Sequence, residues 1–290
     1  MSTSAGGKVE LLNGISGLPL IKLRTQWSEA EVYLHGAHVT GFQKHDEEPL
    51  LFLSKESRFA EGQAIRGGVP VIFPWFGPKE GKAQHGFARV TTWELKETAT
   101  APEGAVSARL ELPKCPEMTS FQPCKVQFIV TVGAALAMEL AVTNESPREM
   151  FAFENCLHSY FEISDISAIS IKGLKGAEYQ DKTDGFVRRT EERDKIKISS
   201  EVDRVYLNTT QAVEILDPGF GRKIVVEKEA SLSTVVWNPW TEKARQMADF
   251  GDEEYKRMVC VESGNVGENQ IQLPPGETSR LRVTISSTRV

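Results

Sequence analysis

Several features that mark large classes of protein are scarce or absent in this sequence. It has four cysteines in 290 residues and no C-x-x-C pair, which argues against a disulfide framework and against a cysteine-rich zinc site. The longest apolar run, residues 69–77, is interrupted by Pro70 and Pro74 and is far too short to span a bilayer. Residues 1–10 lack the apolar stretch of a secretory signal. We therefore expect a cytoplasmic protein with no membrane partner, whose thiols are reduced: Cys115, Cys124, Cys156 and Cys260.

Positive charge is also in deficit. The chain has 34 Lys+Arg against 40 Asp+Glu, a formal net charge of −6. No basic face stands out, which argues against a nucleic-acid partner because phosphate neutralisation needs one. The motifs G-x-G-x-x-G, G-x-x-x-x-G-K-[ST], G-x-S-x-G and H-E-x-x-H do not occur. We therefore expect no metal or redox cofactor.

Alternation of apolar and polar residues with a period of two dominates the chain. It is clear at residues 106–112, and residues 126–132 and 136–142 form two such runs around a short loop with a glycine, which is typical of a β-hairpin. Further strands are predicted at residues 30–34, 166–171, 232–237, 258–261 and 281–285. The pattern predicts an all-β fold built as a large antiparallel sandwich.

Helical signals are few. The clearest covers residues 238–247, where Asn238 is suited to cap the helix and Pro239 to its first position. Residues 55–60 are predicted to form one short helical turn. These segments cannot supply the helix after every strand that a parallel α/β sheet requires. No low-complexity linker divides the chain, so we expect residues 1–290 to form a single domain and the protein to be a monomer.

Histidines are the first candidates for chemistry. His35 and His38 flank Gly36, which breaks a helix, and with no third ligand nearby a structural role is expected for both. His45 lies in a charged run and is expected to be a solvated loop residue. His85 and His158 differ, because each lies in a glycine-rich or aromatic setting beside other polar residues.

Two arginines lie beside glycine-rich turns. Arg66 precedes Gly67 and Gly68, and Arg89 ends the segment QHGFAR. Two guanidinium groups at loop ends are suited to clamp a phosphate, because their forked donors match its oxygens. Pairing of each arginine with a structural carboxylate is at least as plausible from spacing alone.

Three more residues have both a functional and a structural interpretation. His158 lies among aromatic residues, where a histidine is more often part of the core than a catalyst. Glu262 ends an apolar run and is either a surface residue at a strand end or a carboxylate held in a pocket. Asp203 is either a ligand-binding acceptor or the partner of a cation such as Arg204.

Six stretches of the chain together carry a resemblance to a known family: residues 65–77, 84–89, 157–161, 201–206, 235–250 and 259–264. They resemble the aldose 1-epimerases, which are galactose-mutarotase-like proteins, and among them the hexose-6-phosphate mutarotase branch. The similarity spans about two thirds of the chain, with the motifs in the family's order. It implies a galactose-mutarotase-like β-supersandwich with few short helices.

The resemblance also implies site roles. It makes His158 the catalytic acid and Glu262 the catalytic base of a cofactor-independent interconversion of the α and β anomers of a hexose 6-phosphate. The ordinary pKa of a histidine, ~6.5, and of a glutamate, ~4.3, would leave both groups usable with little tuning. The substrate-binding residues implied are Arg66, Gln84, His85, Arg89 and Asp203.

Two alternatives stay open at this point. Besides a hexose-6-phosphate mutarotase, the sequence is compatible with a mutarotase of unphosphorylated aldoses or with a non-catalytic carbohydrate-binding β-sandwich, since one fold serves several functions. Three tryptophans are candidates for packing against a sugar ring, although a core role is equally plausible for each: Trp75, Trp237 and Trp240.

Overall fold

The architecture is that of a computed structural model, which describes residues 7–119 and 121–290. Residues 1–6, which belong to the segment read as lacking a secretory signal, lie outside this range. The first eleven strands are β1 (Lys8–Asn13), β2 (Pro19–Arg24), β3 (Ser28–Tyr33), β4 (His38–Lys44), β5 (Val71–Ile72), β6 (Glu94–Thr100), β7 (Val106–Glu111), β8 (Cys124–Val132), β9 (Leu136–Asn144), β10 (Phe151–Phe153) and β11 (Asn155–Leu157).

The second half of the chain continues in the same manner. The α-helices are α1 (Pro116–Thr119) and α2 (Trp240–Gln246), and single 3₁₀ turns include Ala88–Val90 and Lys182–Asp184. The remaining strands are β12 (Tyr160–Glu162), β13 (Ser170–Lys172), β14 (Glu178–Asp181), β15 (Val187–Thr190), β16 (Val202–Leu207), β17 (Val213–Asp217), β18 (Arg222–Glu229), β19 (Ser233–Asn238), β20 (Met258–Asn265), β21 (Ile271–Leu273) and β22 (Thr278–Arg289).

The strands form four sheets, and the ladders between them are antiparallel. One eight-stranded sheet has the order β15-β14-β16-β19-β20-β11-β5, with β12 also paired to β20; we call it the cavity sheet. The second has the order β13-β17-β18-β22-β9-β8-β7-β6. Strands β1–β4 form a four-stranded meander, and β10 pairs with β21. The prediction of an antiparallel all-β fold with few short helices is confirmed.

The predicted hairpin forms as its alternation indicates. Val132 lies opposite Leu136 in the β8–β9 ladder, so the turn contains Gly133. Every second side chain of β8 is buried, which is the arrangement expected of a strand with one face on the core.

Three local predictions need correction. Residues 55 and 56 form a turn and residues 57–60 follow without helix. The strand predicted at 166–171 is confined to Ser170–Lys172, because the preceding residues form a turn in which the Asp165 carboxylate accepts a hydrogen bond from Ser167 N. Helix α2 begins at Trp240 and not at Pro239, whereas Asn238, the last residue of β19, accepts a hydrogen bond from Trp240 N at 2.9 Å through its side-chain oxygen, as the predicted cap requires.

The core lies between the large sheets. One cluster of buried apolar side chains contains Leu23 of β2, Phe128 of β8 and Val261 of β20, and so joins the meander, the second eight-stranded sheet and the cavity sheet. Successive side chains of β20 point to opposite faces of the sheet. Val259 and Val261 belong to this core, whereas Cys260 and Glu262 point to the opposite face, where the cavity described below is found.

Candidate active site

A cavity lies over the cavity sheet, and side chains from six separate segments of the chain reach it. Asp203 of β16, Trp237 of β19 and Glu262 of β20 come from adjacent strands, while His158 follows β11. The segment 66–89 supplies another wall, and the 3₁₀ turn Lys182–Asp184 and helix α2 supply the rest. The lining residues are Arg66, Phe76, Gly77, Pro78, Gln84, His85, Arg89, His158, Tyr160, Lys182, Asp203, Trp237, Lys243, Met247 and Glu262.

Strand register explains why these side chains converge. Asp203 lies opposite Trp237, Trp237 opposite Cys260, and Cys260 opposite Tyr160, which makes one row across four strands. Directly opposed residues in a sheet point to the same face, so this row lies on one side of the cavity sheet. Glu262 is two residues further along β20 and therefore joins that face.

His158 and Glu262 form a close pair at this position. His158 Nε2 lies 3.2 Å from Glu262 Oε1, and the exposed fractions of the two residues are 7% and 1%. Burial raises the pKa of Glu262 well above its ordinary value, and the neighbouring Asp203 carboxylate adds to this effect. Burial also lowers the pKa of His158 well below its ordinary value, with further contributions from His85 and Arg89. The expectation that both groups need little tuning is therefore wrong, since the site favours the neutral form of each.

Two glycines allow the walls of the cavity to approach so closely. Gly68 has φ +59°, and a Cβ there would lie 2.2 Å from the carbonyl oxygen of Val39. Gly86 has φ +76°, and a Cβ there would lie 2.0 Å from the carbonyl oxygen of Phe73. Both positions combine left-handed backbone with no room for a side chain, so the glycines beside Arg66 and His85 have a backbone role.

His85 is fixed as a neutral donor. Gly77 N donates to His85 Nδ1 at 3.1 Å, so the proton of the neutral ring is on Nε2. Burial lowers the pKa of His85 well below its ordinary value, and the Arg89 guanidinium lowers it further. The ring contacts His158 edge-on with centroids 5.7 Å apart. His85 therefore lies within the constellation that the resemblance implies.

Arg66 is paired within the protein. Its Nε and Nη2 donate to the Asp249 carboxylate at 3.1–3.3 Å, and its Nη1 donates to Tyr160 Oη at 3.0 Å. The alternative that this arginine pairs with a structural carboxylate is thus correct for Arg66, although its guanidinium still lines the cavity.

Arg89 is different. Its Nη2 donates to the backbone carbonyl of Gln84 at 2.8 Å, and within the described part of the chain its buried Nε has no partner. Burial lowers the pKa of Arg89 to about 10, and the nearby Arg66 charge contributes. Arg89 also has no carboxylate within 4 Å among residues 7–119 and 121–290. It is therefore a partly dehydrated cation that an anion in the cavity would compensate.

The remaining predicted residues also reach the cavity. Asp203 Oδ1 lies 3.3 Å from Lys182 Nζ, and burial raises the pKa of Asp203 while the Lys182 ammonium opposes that rise. Its partner is thus Lys182 and not Arg204, which pairs with Asp181 and Glu191. Gln84 is exposed at the cavity edge.

Several lining residues escaped sequence reasoning. Lys182 lies outside the six matching stretches, and Lys243 lies in the matching stretch 235–250 but carried no assigned role. Lys243 Nζ pairs with Glu201 Oε1 at 3.1 Å. The Tyr160 hydroxyl was not predicted as part of the site, because it accepts its hydrogen bond from Arg66, which lies 94 residues earlier. The one available signal was that Tyr160 and Lys243 lie inside matching stretches, 157–161 and 235–250.

The structure also shows where the three candidate tryptophans and the three remaining histidines lie. Trp237 lines the cavity, whereas Trp75 and Trp240 pack in hydrophobic clusters and are not among its lining residues. His35 and His38 are buried and hydrogen-bonded to the carbonyls of Gln63 and Gly67, which agrees with a structural role. His45 is an exposed loop residue, as expected.

Within the described residues, one group of side chains has the composition of a metal-ligand set. It consists of His158, Cys260 and Glu262, whose potential ligand atoms all lie within 4.8 Å of one another. All three residues are buried. No helix in the described part of the chain is long and apolar enough to span a bilayer.

Comparison with known proteins gives matches over most of the chain. The sequence profile of the family "Aldose 1-epimerase" matches residues 19–286. A protein of Cenchrus ciliaris is 38% identical over 96% of this chain and 87% of its own length, and one of Escherichia coli K12 is 34% identical over 87% and 85%. Both carry the name "Putative glucose-6-phosphate 1-epimerase".

Solved structures show the same fold. A Salmonella typhimurium protein described as "a putative mutarotase (YeaD)" superposes with a TM-score of 0.87 at 29% identity, covering 97% of both chains. A galactose mutarotase-like protein from Clostridium acetobutylicum superposes with a TM-score of 0.74 at 14% identity, over 100% of both chains. The predicted galactose-mutarotase-like β-sandwich is therefore confirmed.

Proposed function

Since the chain belongs to the aldose 1-epimerase family, it is an epimerase, and we propose that it interconverts the α and β anomers of a hexose 6-phosphate, with glucose 6-phosphate as the candidate substrate. The observation that carries the proposal is the His158–Glu262 pair, with 3.2 Å between Nε2 and Oε1, in a cavity that also contains Arg89, whose Nε has no partner among the residues that the structure describes. The names of the relatives from Cenchrus ciliaris and Escherichia coli support the choice of sugar.

Anomer exchange requires the hemiacetal to open and then close on the other face. Glu262 takes the proton from the C1 hydroxyl, and His158 gives a proton to the ring oxygen as the bond between C1 and that oxygen breaks. Rotation about C1–C2 then presents the other face of the carbonyl. Closure returns both protons: the ring-oxygen proton goes to His158 and that of Glu262 goes to the new C1 hydroxyl. General acid–base catalysis of this type contributes typically ~10²–10⁴-fold.

The coupled environment of the pair suits this proton exchange. Burial opposes the charged form of each residue, so at rest the shared proton lies on the Glu262 carboxylate, and in this proposal it passes across the 3.2 Å contact to His158 Nε2 when the sugar binds. The pair thus has two arrangements, the first with the proton on Nε2 and the second with the proton on the carboxylate. Ring opening moves the pair from the first arrangement to the second, and ring closure moves it back. The total charge of the pair is the same in both, so a site that excludes water has no net charge to create during the reaction.

Other lining residues have binding roles in this proposal. His85 offers its Nε2–H as a donor, because Gly77 fixes the other nitrogen as an acceptor. Asp203 accepts hydrogen bonds from sugar hydroxyls while Lys182 holds its carboxylate, and Gln84 supplies an amide at the cavity edge. Trp237 presents an apolar surface to the C–H groups of the sugar ring.

The phosphate is assigned chiefly to Arg89. Arg66 already has Asp249 as a partner, whereas Arg89 has a buried Nε without one in the described residues. A phosphate oxygen beside Arg89 would therefore satisfy a donor and offset the cost of burying its charge. Arg66 contributes less to phosphate binding, because its guanidinium already donates to Asp249 and Tyr160.

The substrate assignment is tested by exchange NMR on the wild type and Arg89→Gln, with glucose 6-phosphate and with glucose. Loss of a charged hydrogen bond costs about 1.5–3 kcal/mol, so we expect KM for glucose 6-phosphate to rise about 10- to 100-fold and KM for glucose to change little. Arg245→Gln, an exposed arginine of α2 outside the cavity lining, is the control.

Two outcomes contradict the proposal in different ways. Equal effects of Arg89→Gln on both sugars would favour a mutarotase of unphosphorylated aldoses. Sugar binding without any acceleration of anomer exchange by the wild type would favour a non-catalytic carbohydrate-binding sandwich.

A further inference from the structure

The thiol of Cys260 has no part in the proposed reaction, yet it lies beside both reacting groups. Cys260 and Glu262 are two residues apart on β20 and so point to the same face of the cavity sheet. His158 lies between β11 and β12, which both pair with β20. The sheet therefore brings a sulfur, an imidazole nitrogen and a carboxylate oxygen within 4.8 Å of one another.

This donor set is one that Zn²⁺ and related ions bind. Thiolate, imidazole and carboxylate are its usual protein ligands, and three protein ligands with one open position are typical of zinc sites that also bind water or a small molecule. The distance of 3.2 Å between His158 Nε2 and Glu262 Oε1 is close to the separation of two ligands in a tetrahedral shell, and the Cys260 sulfur lies within 4.8 Å of both atoms.

Access and charge also permit a cation here. His158 and Glu262 line the cavity, which supplies an entry path and the open position, while Cys260 is fully buried behind them. The thiolate and the carboxylate would together balance a divalent charge. Among the nearby cations, Arg66 and Lys182 are each paired with a carboxylate, which leaves Arg89 as the main opposing charge.

We propose that His158, Cys260 and Glu262 form an inhibitory site for Zn²⁺ and other thiophilic divalent cations. The bound ion occupies the histidine lone pair and the carboxylate, so neither group can exchange a proton with a sugar, and it competes with the substrate for the same space. The inhibitory effect rests on the function proposed above, whereas metal binding itself does not.

Binding is tested first with Co²⁺ and Zn²⁺ on the protein without sugar. Co²⁺ bound to a thiolate gives a charge-transfer band in the near ultraviolet, and we expect this band in the wild type and its displacement by Zn²⁺. Calorimetry should show Zn²⁺ affinity at least tenfold weaker in Cys260→Ala, because even the loss of a residue that only orients a ligand costs 10–100-fold. Cys124→Ala, a buried thiol outside the cavity lining, is the matched control.

Inhibition is then measured as the fraction of each variant's own metal-free exchange rate. Zn²⁺ should inhibit the wild type and Cys124→Ala alike, in competition with glucose 6-phosphate, and Cys260→Ala should need at least ten times more Zn²⁺. Cys260→Ser, which preserves the size of the side chain, gives the same comparison if the alanine variant does not fold.

Three results would overturn the proposal: a Co²⁺ complex of the wild type without the thiolate band, equal Zn²⁺ affinity in Cys260→Ala and Cys124→Ala, or loss of binding in the control only. Because the absorption and calorimetric measurements need no turnover, they separate failure of this site from failure of the proposed epimerase function.

Discussion

At the scale of single residues, the cations around the cavity differ in whether a carboxylate lies beside them. Arg66 and Lys182 each lie within 4 Å of a carboxylate, and Arg89 does not within the described residues. An unpaired buried cation is costly to the folded protein. We therefore interpret Arg89 as a cation whose charge an anionic ligand compensates. Arg66 in addition stabilises the cavity wall through its contacts with Asp249 and Tyr160.

The sequence predicted part of the cavity lining but not how its charged residues pair. His158, Glu262 and Asp203 were all assigned by resemblance, and all line the cavity. Asp249, the partner of Arg66, is 183 residues distant along the chain, and no periodicity of the sequence reports such a contact. The pKa shifts of His158 and Glu262 were unpredictable for the same reason, since they arise mainly from burial that only the assembled sheets provide.

His38 gives a pH-dependent contribution to stability. Its Nε2 donates to the Gly67 carbonyl at 2.7 Å, and burial lowers its pKa to about 3, against about 6.5 in an unfolded chain. The unfolded state therefore binds more protons, so the free energy of unfolding falls as pH drops from about 6.5 towards 3. His38→Gln, which keeps a donor but does not titrate, should reduce this slope by up to about 1.4 kcal/mol per pH unit.

Urea unfolding of the wild type and His38→Gln at pH 7.5, 6.5, 5.5 and 5.0 measures this difference. His85 and His158 contribute in the same direction in both proteins, so the comparison isolates His38. Identical slopes in the two proteins would show that His38 is protonated as easily in the folded state as in the unfolded one.

At the scale of elements, the sheet was easier to predict than its connections. Strands β7, β8 and β9 follow strict alternation, and the structure places them close to the predicted bounds. By contrast, β20 is buried along all eight residues, because it is central in the cavity sheet and covered on both faces. Its sequence was recognised only to Val261, so the strand that carries Glu262 was predicted too short.

The tight turn at Gly86 is an element whose geometry determines the site. It lies next to His85 and against the Phe73 carbonyl, where a Cβ would approach to 2.0 Å. We expect Gly86→Ala to lose more than about 2 kcal/mol of unfolding free energy, because left-handed backbone alone costs roughly 1–2 kcal/mol for a non-glycine residue and the clash adds to it.

Gly81→Ala is the matched control for this turn. Gly81 also has a positive φ, +65°, but a Cβ there would meet no atom within 4 Å, so only the backbone cost of about 1 kcal/mol is expected. Urea unfolding gives both values. Equal losses in the two variants would mean that the Phe73 contact yields without cost, and the close approach would then not constrain His85.

At the scale of the whole molecule, the net charge of −6 says little about the ligand. Four cations line the cavity: Arg66, Arg89, Lys182 and Lys243. A local cluster of this kind sets the potential inside a cleft even when the total charge has the opposite sign. An anionic substrate is therefore compatible with an acidic protein. The extent of the domain, residues 1–290, the monomeric state and the cytoplasmic location stay predictions.

The acid–base pair is the central claim, and anomer exchange measured by NMR on glucose 6-phosphate tests it most directly. The samples are the wild type, His158→Asn and Glu262→Gln, with His45→Gln and Glu242→Gln as exposed controls outside the cavity. We predict that the wild type and both controls accelerate exchange equally, and that each cavity variant loses ~10²–10⁴-fold of that acceleration while remaining folded. Exchange at the wild-type rate in either cavity variant, or no acceleration by the wild type, would contradict the account.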